Sequence, residues 1–145
     1  MKITLKVFLF LAIICNYYSV NAQVVGVIYG NQEAEQKFGK VINSLEMPSI
    51  QLESLLKMSG KYIMFKIADK NLFIIDENRK PLYPDNISVK SDEVFKLLSV
   101  SKVLELLNEG QNRQTFFEER ENAFSITNGS YTLEQSALCP PFCIQ

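Results

Sequence analysis

The stretch KYIMFKIADKNLFIIDENRKPLYP, residues 61–84, decides the fold class. Its β-branched and aromatic residues fall into three short runs, parted by Asp69-Lys70 and by Glu77-Asn78-Arg79-Lys80. Short apolar runs separated by polar turn formers predict three antiparallel strands in a meander. A three-stranded meander buries little by itself, so the flanking sequence has to provide a second layer.

Upstream, QVVGVIYG (23–30) is apolar and β-branched and reads as a buried strand. Asn31 reads as the cap of a helix with Glu33 and Glu35 in its first turn, where the helix dipole favours acids. Phe38, Val41, Ile42 and Leu45 recur at helical spacing, which predicts one buried helix face running to Pro48. Ser49 reads as the next cap, followed by the stripe Leu52, Leu55 and Leu56 and a stop at Gly60.

Downstream, SDEVFKLLSVSKVLELLNEG (91–110) returns to helical spacing, with Ser91 and Ser101 as caps and Val103, Leu104 and Leu107 as a face, in one bent helix or two. TFFEERENAFSITNGSYTLEQ (115–135) predicts a second meander, with turns at Glu121-Asn122 and Asn128-Gly129. Its middle strand would carry Phe124 and Ile126 on one face and Ser125 and Thr127 on the other; a helix through residues 116–122 is the competing reading. The expected architecture is a single α+β domain over residues 23–136, with helical pairs and two antiparallel three-stranded meanders. The two halves share a helices-then-meander rhythm. GKVINSLEM (39–47) echoes SKVLELLNE (101–109), a likeness that short apolar helical strings reach by chance.

Residues 1–22 combine Lys2 and Lys6, an apolar run from Val7 to Cys15, and a close on Val20-Asn21-Ala22. Those are the parts of a secretory signal peptide, and the run is shorter than the roughly 20 residues a bilayer span needs. Cleavage is expected before Gln23, in a junction that resembles exported bacterial proteins, giving a periplasmic or extracellular product with no stable membrane span. A lipid-modified Cys15 would need a small residue before it, and Ile14 stands there. Removing the leader takes away two lysines and no acids, leaving an acidic chain unsuited to nucleic acid.

The chain closes on ALCPPFCIQ (137–145), read as a C-terminal tail. With the leader gone, Cys139 and Cys143 are the remaining cysteines, and an even count in an oxidising compartment favours a disulfide. Extended, they would lie about 13 Å apart, against the roughly 7 Å a disulfide tolerates. The chain must therefore turn, with Pro140 and Pro141 fixing φ. The expected element is a small rigid knob of Cys139, Pro140, Pro141, Phe142 and Cys143, used for docking or to protect the C-terminus. Its short loop gives less than the roughly 2–4 kcal/mol of a longer one. A thiol–disulfide active site stands beside this reading, though the spacing is C-x-x-x-C without βαβ context. So do intermolecular attachment and soft-metal binding, for which two thiolates are too few ligands.

Histidine is absent, which excludes Ser-His and Cys-His pairs and removes the commonest zinc and copper ligand. Ser99-Val100-Ser101-Lys102 fits S-x-x-K, but no S-D-N or K-T-G element accompanies it, and a helix boundary explains it. Glu118, Glu119 and Glu121 read as solvated charges near a turn, and residues 69–77 lack the oxygen spacing of a calcium loop. Asn86-Ile87-Ser88 and Asn128-Gly129-Ser130 match the glycosylation sequon, which a bacterial chain would not use. The functional expectation is a non-catalytic binding or assembly module with a protein partner, no cofactor and no metal. The alternative is a small thiol redox protein or redox partner using Cys139 and Cys143.

Overall fold

The computed structural model describes residues 23–140. The first meander is β3 (Tyr62–Ala68), β4 (Asn71–Asp76) and β5 (Pro81–Tyr83). Asp69 and Lys70 both take positive φ, 51° and 61°, as a two-residue type I′ loop requires. The second meander is β7 (Gln114–Arg120), β8 (Phe124–Asn128) and β9 (Tyr131–Glu134), so residues 116–122 are strand and turn and not helix. Its last loop sits one residue later than expected. Asn128 pairs with Tyr131, which leaves Gly129-Ser130 as the loop with Gly129 at φ +60°, the type II′ pattern.

Two expected helical stretches are corrected. Helix α1 covers Asn31–Phe38 only, and Val41–Pro48 is strand β2. Gly39, at φ +85°, ends the helix, and Val41 and Ile42 are exposed, so their helical spacing had no core to face. Asn31 is the first helical residue after Gly30 and does not cap; its side chain donates to the Gly129 carbonyl and accepts from Thr132. In 91–110, Phe95–Ser99 is strand β6 and Val100–Gly110 is the single helix α3, so neither Ser91 nor Ser101 caps a helix. Helix α2 (Ser49–Met58) buries Leu52, Leu55 and Leu56 as its stripe predicts. Strand β1 is Val27–Gly30, and Ala137–Cys139, the start of the segment read as a tail, forms β10.

Among the described residues there are thus three helices and ten strands in two antiparallel sheets. Sheet A runs β1-β9-β8-β7-β2 and sheet B runs β10-β6-β3-β4-β5. The α+β class holds, with more sheet than two meanders beside helical pairs.

The strand orders contain an internal repeat. One unit is β2, α2, β3, β4, β5; the other is β6, α3, β7, β8, β9. Each unit's first strand leaves its own meander and pairs with the other's: β2 lies on β7, and β6 lies on β3. The registers agree, since Pro48 pairs with Gln114 as Ser99 pairs with Tyr62, each strand handing over at once to its helix. Leu52 and Leu55 match Val103 and Leu106, fourth and seventh in their helices. Phe65 and Phe117, fourth in their strands, meet across the centre with ring centroids 5.5 Å apart. The echo between 39–47 and 101–109 pairs a strand with a helix and is no part of this repeat.

The core lies between the sheets. Phe65 packs on Phe117 and Phe124, and α3 lies against β9, β8 and β6 while α2 lies against β2, β7 and β5. Outside the repeat, two strands have no counterpart. β10 covers the outer edge of β6 and β1 that of β9, whereas among the described residues no strand covers the outer edge of β2 or of β5.

Candidate functional site

The expected tail residues divide between what is described and what is not. Cys139 ends β10, opposite Phe95, and is 1% exposed. Arg79 reaches it from the β4–β5 turn, with Nη1 3.8 Å from the sulfur. The same guanidinium donates to the carbonyls of Lys90 (2.9 Å) and Glu93 (2.7 Å) and lies over the Phe95 ring. The Cys139–Pro140 bond is cis. Pro141, Phe142 and Cys143 lie outside the described residues, as do residues 1–22.

The S-x-x-K pair is split between structural duties. The Ser99 hydroxyl accepts from the Val25 amide at 2.8 Å, and the Lys102 amine pairs with Glu105. Among the described residues no three acidic or sulfur side chains gather in a metal-sized group.

The acidic cluster departs from its expectation. Glu118 is buried, not solvated, on the face of sheet A that carries Ser125 and Thr127 and lies under α1. Its Oε2 accepts from Arg120 Nη2 (2.8 Å) and from the Thr127 hydroxyl (2.8 Å). Arg120 Nε donates to Ser125 and lies 3.3 Å from Glu134 Oε1, while Nη1 donates to the Gly39 carbonyl just past α1. Glu134 is fully buried, and among the described residues neither of its oxygens has a hydrogen bond of good geometry, the Ser125 hydroxyl and Arg120 lying beside them. Burial pushes its carboxyl up to about 7, with Glu118 pushing the same way and Ser125 and Arg120 pulling back. Two carboxyls around one guanidinium make this a structural charge cluster, closed to a substrate. The sequence signal was alternation: Glu118 and Arg120 share a face with Ser125, and Glu134 comes from the next strand but one.

An open cleft lies elsewhere, and no sequence motif pointed to it. About 680 Å³ in volume, it separates the two uncovered sheet edges. Ser44, Leu45 and Glu46 of β2, with Phe116 of β7, form one wall. Phe73 of β4, Tyr83 of β5 and the Lys70 turn form the other. That volume suits a small ligand or a short peptide, and aromatic walls with few charges suit an apolar one. It was hidden because β2 carries helical spacing in the sequence.

No family model, curated protein or solved structure matches the chain.

Proposed function

We propose that the chain is a non-catalytic binding or assembly module, exported to the periplasm or beyond, that holds a protein partner in the cleft between β2 and β5. The observation that carries this reading is the cleft itself: an open groove with aromatic walls between two strand edges that no described strand pairs with, a geometry suited to peptide backbone. The buried charge cluster and the Ser99 and Lys102 contacts leave those groups committed to the fold, which favours binding over catalysis. The C-terminal pair Cys139–Cys143 is proposed as a disulfide knob beside β6, a second contact point at the far edge of sheet B.

Photo-crosslinkers placed singly at Ser44, Tyr83 and Gln145 in the full chain test this reading in its native host. A discrete partner adduct at Ser44 or Tyr83 is expected. No adduct at any of the three positions overturns it. The redox alternative has one observation in its favour, the Arg79 guanidinium beside the Cys139 sulfur, since a cation favours a thiolate. An Arg79→Met variant would then shift the reduction potential of the pair, whereas an unreactive pair in thiol trapping of the exported protein removes that alternative.

A further inference from the structure

The repeat supplies the identity of what the cleft takes. Within it β6 corresponds to β2, so Phe95, Lys96 and Leu97 correspond to Ser44, Leu45 and Glu46, counted back from the strand ends at Ser99 and Pro48. The first three hold a strand on their outer side, β10, antiparallel, with Ala137 against Leu97 and Cys139 against Phe95. The second three have no such strand among the described residues and are the β2 residues that line the cleft.

The other open edge follows the same logic. The place equivalent to the cleft, between β6 and β9, is filled by the chain's own residues 23–30. Val25 exchanges hydrogen bonds with Ser99, and β1 pairs with β9. Between them Gly26, at φ +116°, passes so close to Leu98 and Leu133 that a side chain there would touch both. The counterpart is therefore a slot for extended, uncharged chain, and on the β2 side none of the described residues fills it. An exposed eight-residue edge strand with Val41 and Ile42 uncovered is a template for strand addition.

We infer that the cleft receives an extended, uncharged segment of a partner protein, which pairs antiparallel with β2 opposite Ser44–Glu46 and sets an apolar side chain among Phe73, Tyr83 and Phe116. This rests on the binding reading above and gives its partner a conformation. β10 is the chain's own example of such a segment.

The test uses the isotope-labelled mature chain and a synthetic peptide of residues 135–140 carrying Cys139→Ser. Saturable amide shifts are expected at Ser44–Glu46 and at Phe73, with Kd at or below about 1 mM. The same peptide with both Ala137→Pro and Leu138→Pro loses a ladder N–H whichever edge faces β2 and should bind at least about tenfold more weakly, without any change to the protein. Shifts confined to Phe95–Leu97, or equal shifts from the proline peptide, overturn the inference. So do concentration-dependent shifts on β2 without peptide, which would make a second copy the occupant. No shift up to about 5 mM, together with a partner adduct at Tyr83, overturns the added strand and leaves the binding reading standing.

Discussion

At Glu134 the charge of one residue is linked to the stability of the whole fold. Its carboxyl holds a proton more tightly in the folded chain, at about 7, than when exposed at 4.5. The sign follows from linkage: the stabilisation is complete below the exposed value and is lost as pH rises through the folded one. Denaturation measured at pH 5 and pH 8 should show the chain less stable at pH 8 by up to about 3 kcal/mol. Glu134→Gln should flatten that difference. A flat profile in the unsubstituted chain would refute the link. Arg120 is the cation both carboxyls share, so Arg120→Met should cost about 3–5 kcal/mol at pH 8; a loss below 1 kcal/mol would show the cluster to be hydrated. These residues were legible in the sequence as a strand face but not as a buried one. Nothing in TFFEERENAF reveals that α1, nearly eighty residues upstream on a different element, will pack on this side of sheet A, with the Gly39 carbonyl just past it on Arg120.

At the scale of elements, β2 separates what composition could tell from what it could not. Leu52, Leu55 and Leu56 gave α2 correctly because that face does meet the core. Val41, Ile42 and Leu45 gave a helix wrongly, because the same spacing also occurs in a strand whose pairing partner, β7, lies some seventy residues away. The two assignments differ in a measurable way. Ile42 is 70% exposed, so Ile42→Ser should change stability by less than about 0.5 kcal/mol, whereas a buried helix position would cost several-fold more. Leu55→Ala and Leu106→Ala, at matching places in the repeat, should each cost about 2–5 kcal/mol in chemical denaturation. Helix α3 also meets the β8–β9 turn through two glycines: a side chain on Gly129 would strike Gly110, and one on Gly110 would strike the Asn128 backbone. Gly110→Ala should therefore destabilise by about 1–3 kcal/mol despite the better helix propensity of alanine.

For the whole molecule, the meanders and their loops were readable because hairpins are local, while the sheet orders were not, because each sheet borrows a strand from the other unit. The cleft follows from that borrowing and so shared its invisibility. Removing residues 137–145 takes β10 away and leaves β6 with an open edge like that of β2. The shortened chain should lose about 2 kcal/mol or more and should self-associate in sedimentation experiments, as an uncovered edge invites. Unchanged stability and a monomer would mean that β10 is an ornament and that the comparison between β6 and β2 is empty.

The exchange of first strands also governs the order in which the chain can become structured. A ribosome, or any channel that passes the chain N-terminus first, delivers residues 41–48 long before residues 114–120, their ladder partner among the described residues. Until then β2 has no ladder, and with it one layer of the core is missing, so the early half has no complete structure to settle into. The ladders among β3, β4, β5 and β6 need nothing beyond residue 99, so of the early strands it is β2 whose place waits on the arrival of β7.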